Sequence, residues 1–579
     1  MNFESRPSTN PPPADGRGAS PKVSRRTALQ AIVGVGVGGA VFHRALAAQL
    51  EENDGRVTGE MIQQAEWIAG LELSDDERET VARGVDRLQD KVRAMRDVDV
   101  AYDVPPAVYF SAAPGEPAAG PPPVRGVQPI ESAASQRPDS DEALAFLPVT
   151  ELSALIRTRQ VSSLELTRLY LERLHRYNPL LNCVVSFTDE LALKQARRAD
   201  REIAAGRYRG PLHGIPWGAK DLIAHAGYKT TWGAGVFQEQ TIDATATVAR
   251  RLEQAGAVLV AKLTLGALAW GDQWFGGTTR NPWNPEEGSS GSSAGSASAT
   301  VAGLVGFSLG SETQGSIVSP CTRCGASGLR PTYGRVSRHG CMTLSWTMDK
   351  IGPICRSVED CALVLAAIHG RDGLDPTAVD RAFQWPPQRD VRTMTVGYIE
   401  QGDDAEDRPE MAVLRQLGVT LKPIRLPDEL PASAMTMILS TEAATVFDKL
   451  TRAGVREGMG RWPDVLLQAE FASAVDYLRA NRLRTLLMRQ MAELMSGVDA
   501  YVGGDDLSIT NLTGHPTAVL PGGFTRRNDA ETPYAVKFTG RLFAESDLLA
   551  LAHAYQQATD VHLHRPALNI KEGNSNGGA

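Results

Sequence analysis

From about Phe146 onward the chain alternates helical and strand-like patterns, and that alternation is what most restricts its fold. Ser162 and Glu165 have capping-box spacing ahead of Leu166, Leu169, Tyr170, Leu174 and Tyr177, an amphipathic helical stripe. A second helix is expected from Thr188 to Ala205, stopped by Gly206. Gly214 to Ala219 reads as a strand, 246–255 as a helix, and Ala257 to Ala261 as a short apolar strand. Strands separated by helices predict an α/β fold built on a mixed or parallel sheet. No internal repeat is visible.

Ahead of this region lie three segments of different character. Residues 1–47 read as a Pro/Ser/Gly-rich leader and an export signal. Arg25 and Arg26 precede a Gly-rich apolar run, Ala31 to Phe42, which ends near Ala45-Leu46-Ala47. That run is too short to span a bilayer. Paired arginines before a weakly apolar run match a twin-arginine signal, so the expected partner during export is the twin-arginine translocase. The mature chain is then exported, periplasmic or extracellular, with no stable membrane insertion. Residues 48–100 form a helical extension, because Ser74 and Glu77 make a capping box and Val81, Val85, Leu88, Val92 and Met95 recur at helical spacing. Residues 101–145 are rich in Pro, Ala and Gly and read as a linker or surface arm. The extension is expected to be accessory, with no chemistry of its own. The catalytic domain is placed at 146–570, and 571–579 is a disordered tail.

Charge and cysteine usage remove other function classes. A net charge of -8 gives no basic surface for nucleic acid. Six cysteines in 579 residues are not a disulfide framework. Cys321 and Cys324 form a C-x-x-C without a second pair for zinc, and read as ordinary buried cysteines.

The chemistry gathers between residues 288 and 318. The run GSSGSSAGSASATVAG (288–303) looks like a flexible linker, yet it leads directly into Ala297, Ala299, Val301, Leu304 and Val305. It is better read as a turn entering a tightly packed helix, with glycines permitting close approach of a substrate and a helix N-terminus favouring negative charge. Gly310-Ser311-Glu312-Thr313-Gln314-Gly315-Ser316-Ile317 follows. No Gly-x-Ser-x-Gly elbow with convincing His and Asp partners is present. A serine nucleophile would then need another base, and a lysine can serve once burial makes it neutral.

Asn281-Pro282-Trp283-Asn284-Pro285, the Gly/Ser run, 303–317 and 324–337, together with Gly210 to Pro216 and Lys220-Asp221, resemble the amidase signature family. The resemblance covers roughly residues 146–565. It implies the family's α/β fold, a mixed central sheet covered by helices. It also implies a Ser-Ser-Lys triad: Lys220 as base, Ser292 as relay and Ser316 as nucleophile. Ser289, Ser290 and Ser293 are chemically similar neighbours of the relay. The backbone N–H groups of Thr313, Gln314, Gly315 and Ser316 are candidate oxyanion donors. Asn511 and Gly514 match the family's C-terminal pocket loop. Asn511-Leu512-Thr513 also has the form of a glycosylation site. Further pocket residues are expected between 400 and 500. No metal or organic cofactor is implied.

Two departures stand out. Where the family has Asp-x-Gly-Gly-Ser-Ile-Arg, this chain has Glu312 to Val318, with Gln314 for a glycine and Val318 for the arginine that pairs with the acid. Arg323 is the nearest downstream arginine that could compensate. Lys262 is the rival base, while His213 and His515 read as structural histidines. The expected activity is hydrolysis of a small-molecule or peptide amide through an acyl-enzyme. Alternatives are an esterase or aryl acylamidase on the same triad, the glutaminase component of a tRNA-dependent amidotransferase, and a non-catalytic binding protein.

Overall fold

The computed structural model describes residues 56–98, 100, 107–108, 125–129, 136–400, 407–504, 506–527 and 530–568. The expected leader, much of the 101–145 arm and the C-terminal tail lie outside these residues.

The extension forms two helices, α1 (Gly59–Ala69) and α2 (Asp75–Arg96). Ser74 caps α2 through a full capping box with Glu77, as its spacing predicts. Val81, Ala82 and Val85 of α2 pack with Met61 and Ile62 of α1 against Leu467 and Phe471. Val92 and Met95 pack against Met435, Ile438, Leu483 and Leu487. Burying each such side chain contributes about 1.5–3 kcal/mol, so the extension is held to the main body by its apolar stripe. Its apolar periodicity shows which face is covered; only the three-dimensional structure shows by what.

Eleven strands make one mixed sheet. In chain order they are β1 (Val184–Phe187), β2 (Pro216–Lys220), β3 (Val258–Leu263), β4 (Phe307–Glu312), β5 (Ser327–Arg330), β6 (Lys350–Cys355), β7 (Thr395–Ile399), β8 (Thr420–Ile424), β9 (Ala500–Val502), β10 (Thr517–Arg527) and β11 (Ala530–Gly540). Their spatial order is β8-β7-β9-β11-β10-β5-β6-β4-β2-β3-β1. The trio β4, β2 and β3 runs parallel, and every residue of these three strands is buried. That is the pattern of strands covered on both faces. β6 pairs antiparallel with β4, and β1 antiparallel with β3.

Helices α3 (Ser163–Leu181), α4 (Asp189–Ala204) and α5 (Thr247–Gln254) fall where the sequence predicts them. At α3 the expected capping box is half formed. Ser162 accepts from the Glu165 N–H, but the Glu165 carboxylate turns to Arg137 instead. The Gly/Ser run enters α6 (Ala294–Val301), whose eight residues are all buried. α7 (Val318–Cys324), α8 (Val358–Ile368), α9 (Met437–Arg452), α10 (Trp462–Ala469), α11 (Ala474–Ser496), α12 (Leu507–Thr513) and α13 (Glu545–Thr559) complete the named helices. The expected linker carries one short strand, Arg125–Val127, parallel to Phe383–Trp385. Leu144 and Ala145 already belong to the main core, so the packed body starts slightly before Phe146. Among the described residues, no helix is long and apolar enough to cross a membrane.

Candidate active site

Parallel strands β2 and β4 end side by side, and the site lies beyond their C-terminal ends, where ligands of open α/β sheets gather. Lys220 is the last residue of β2 and is fully buried. Its Nζ lies 2.8 Å from Ser292 Oγ, 2.8 Å from Ser311 Oγ and 3.1 Å from Ser293 Oγ. No carboxylate stands at hydrogen-bond distance from it among the described residues. Burial pushes the ammonium well below the ordinary lysine range, against a weaker opposing pull from Asp349 and Glu312. Lys262, the rival base, is placed differently. It donates to Asp221 at 2.7 Å, to the Lys229 carbonyl and to Thr230 Oγ1, in a fully buried ion pair.

Ser292 lies on the Gly/Ser turn and is fully buried. The peptide joining it to Gly291 is cis. A Cβ at Gly291 would stand 1.9 Å from the Gly271 carbonyl oxygen, so only glycine fits beside that backbone. The neighbouring Ser293 donates its N–H to the Ser316 carbonyl, which ties the Gly/Ser turn to the segment carrying Ser316.

That segment leaves β4 at Glu312 and turns through Gly315, whose φ of +93° suits glycine. The Glu312 carboxylate holds the turn from inside, accepting the N–H groups of Ile317 and Val318 at 2.9 and 3.0 Å. Thr313 Oγ1 donates to Asp349 at 2.6 Å, and Gln314 Nε2 to Ser508 Oγ at 3.1 Å. The N–H groups of Thr313, Gln314, Gly315 and Ser316 donate to no protein acceptor among the described residues. Ser316 is half-buried and lines a cavity of about 640 Å³ with Thr313 and Gln314.

Several expectations are corrected. Arg323 does not reach Glu312; it pairs with Glu287 at 2.9 Å. The partner of Glu312 is Arg330, on β5 beside β6, at 2.7 Å in a fully buried pair. Together with the two N–H bonds it holds the Glu312 carboxyl down at about 2, against the opposing effect of burial. Asn511 does not line the cavity. It lies inside α12 and donates to Glu312 at 2.9 Å, so it supports the acid from behind. Being fully buried, it also offers no glycosylation surface. Gly514 caps α12 in the left-handed region with Tyr333 over its Cα, outside the cavity wall. Cys321 and Cys324 are buried thiols, pushed well above the usual range by burial. His213 lies away from the cavity, and so does His515, whose backbone carbonyl accepts from the Arg330 guanidinium.

The sequence reading missed Ser311 and Ser293 as hydroxyl partners of Lys220, although both lie within the segments it singled out. It placed pocket residues at 400–500, and Met437, Leu439, Trp462 and Val465 do line the cavity. It treated the extension as accessory, yet Gly84, Arg87, Leu88 and Lys91 of α2 line the same cavity.

Known proteins resemble this chain over most of its length. The Amidase family matches residues 165–503. A glutamyl-tRNA(Gln) amidotransferase subunit from Moorella thermoacetica is 32% identical, over 74% of this chain and 99% of the relative. AmiD of Mycobacterium tuberculosis, an amidase by its name, is 33% identical over 75% of this chain and 99% of its own. The structure of peptide amidase from Stenotrophomonas maltophilia aligns with a TM-score of 0.64 at 28% identity, covering 73% of this chain and 99% of that one.

Proposed function

Because the chain belongs to the amidase signature family and is an amide hydrolase by that membership, we propose that it cleaves a carboxylic amide C–N bond with Ser316, Ser292 and Lys220. The observation that carries this reading is Lys220, a buried lysine with no acid partner among the described residues and with Ser292 Oγ at 2.8 Å. Burial lowers the pKa of such a lysine, and its neutral form can accept a proton.

The proton path follows from that neutrality. Ser316 Oγ attacks the amide carbonyl carbon while its proton passes to Ser292 Oγ, and the Ser292 proton passes to Lys220 Nζ. The carbonyl oxygen becomes an oxyanion. Free N–H groups on the Thr313 to Ser316 turn are its donors, and removing one such donor typically costs about 10²–10³ in rate. Collapse breaks the C–N bond. The proton returns through Ser292 to the departing nitrogen, which leaves as ammonia or an amine. Water then attacks the acyl-enzyme by the same route and releases the acid.

An ester would follow the same steps, so the triad alone does not favour amide over ester; the family membership does. The Moorella relative is part of an amidotransferase, and release of ammonia from free glutamine tests that second role. The defining experiment is labelling with a fluorophosphonate, which needs an activated serine. Wild-type protein should be labelled and should hydrolyse members of a panel of aliphatic, aryl and C-terminal peptide amides. Ser316→Ala should do neither while keeping its fold. Labelling and turnover that survive in Ser316→Ala would sink this assignment.

A further inference from the structure

The cavity that opens onto Ser316 is walled on one side by a helix outside the family match, since α2 ends at Arg96 and the match begins at residue 165. Four of its residues face the cavity: Gly84, Arg87, Leu88 and Lys91. Their spacing of three, four and seven puts them on one stripe of the helix. This stripe borders the apolar one, formed by Val81, Val85, Val92 and Met95, that fastens α2 to the body, and Leu88 belongs to both.

The helix is fixed rather than draped. Arg456 pairs with Glu77 near its start, and Arg96 pairs with Asp476 at its end. Arg479 donates to the carbonyls of Met95 and Arg96. Between these anchors Gly84 lies against Gln468 of α10, where an added Cβ would stand 2.1 Å from the side chain. Arg87 and Lys91 therefore face the cavity on a rigid support.

Their charge is unanswered there. The described residues lining the cavity include no Asp or Glu, and Arg87 and Lys91 are its only charged members. Neither is paired with a carboxylate among the described residues. Two like charges one helical turn apart repel each other, and a bound anion relieves that repulsion. The rest of the wall is mixed, with hydroxyl and amide side chains near Ser316 and an apolar patch elsewhere. Trp270 and Trp462 meet edge to face with centroids 5.1 Å apart, beside Met437, Leu439 and Val465.

We propose that the Arg87–Lys91 face of α2 is a carboxylate-recognising wall of the active-site cavity, which selects amides with an apolar body and an anionic group remote from the scissile bond. The selectivity rests on the amide-hydrolase reading of Ser316, while binding at the wall can be measured without turnover.

Matched pairs of amides test it. Hexanamide is compared with the monoamide of adipic acid, and phenylacetamide with its para-carboxy derivative. Wild-type full chain is expected to favour the carboxylated member by about tenfold or more in kcat/KM, the scale of one charge-assisted contact. The ratio should fall towards one in Arg87→Ala/Lys91→Ala and should invert in Arg87→Glu/Lys91→Glu. In the wild type it should shrink as salt rises from about 0.05 M to about 1 M, since exposed charges are screened over a few ångströms at high salt. This arm needs no variant to fold. Calorimetric titration of Ser316→Ala with the same pairs reads affinity alone. Equal kcat/KM and equal affinity within each pair, or a double alanine variant that keeps the wild-type ratio, would overturn the proposal. Tighter binding of the carboxylated amides by a protein that turns over none of them would leave the wall standing and remove the hydrolase reading instead.

Discussion

Lys220 and Lys262 are two buried lysines at the ends of neighbouring parallel strands, and they differ in their surroundings. Asp221 answers Lys262 at 2.7 Å, whereas Lys220 meets hydroxyls. Replacing Lys220 with Ala is expected to lower kcat by several orders of magnitude. Lys220→Arg should not rescue it, because a guanidinium stays protonated and cannot take the Ser292 proton. Lys262→Ala should instead lower stability, since it leaves Asp221 buried and unpaired, a change that costs about 3–5 kcal/mol. The pH dependence has a definite sign. Burial lowers the Lys220 pKa, so the base is active above that lowered value and lost as pH falls through it. The wild-type kcat/KM profile should therefore show an acid limb, and initial rates of the three variants complete the comparison. A near-normal rate in Lys220→Arg would overturn the assignment. At this scale the meeting of Lys220 with Ser292 was readable because each sits in a local motif. Arg330 was not, because it reaches Glu312 from a different strand and only the sheet order brings the two together.

The turn from β4 into α7 shows what an element requires beyond its own residues. Glu312 stands where the family has an aspartate, Val318 where it has an arginine. The longer acid still accepts the N–H groups of Ile317 and Val318, and the arginine is supplied by β5. Helix capping at α2 was legible in four consecutive residues, since it depends on local spacing alone. The replacement of Arg323 by Arg330 was illegible, because charge pairing across strands depends on register. The Glu312 carboxylate should be a stability determinant as well as a support for the turn that carries Ser316. Its folded pKa of about 2 lies below that of a free carboxylate. The stabilisation is therefore present above about pH 4.3 and lost as pH falls towards the folded value, amounting to about 3 kcal/mol. Glu312→Gln should unfold at a lower temperature at pH 7, by an amount that narrows at acid pH, and should lower kcat more than it raises KM. Thermal unfolding of both proteins across pH 3–7 checks this. A constant difference over that range would show that the carboxylate charge is not what stabilises the turn.

Over the whole molecule, the alternating patterns announced an α/β protein, and the structure bears out a mixed sheet covered by helices. What they could not announce is that a helix near residue 90 closes the cavity of a serine at 316. Periodicity marks the covered face of α2 and is silent about its partner. The cavity at Ser316 is lined by residues from Gly84 to Leu507, so the whole body must be assembled before it exists. All six cysteines are thiols, none of which needs an oxidising compartment to form the fold. Both features suit folding before export, the mode of the twin-arginine route. We propose that the paired Arg25 and Arg26 direct the folded enzyme out of the cytoplasm by that route. Arg25→Lys/Arg26→Lys should leave a full-length precursor in the cytoplasm of the producing cell. That precursor should be labelled by a fluorophosphonate, because the described residues of the cavity wall all lie after the leader. Cell fractionation with labelling of each fraction measures both outcomes together. Normal processing and export of the double lysine variant would remove the twin-arginine assignment, and a retained precursor that cannot be labelled would show that the site is completed only after export.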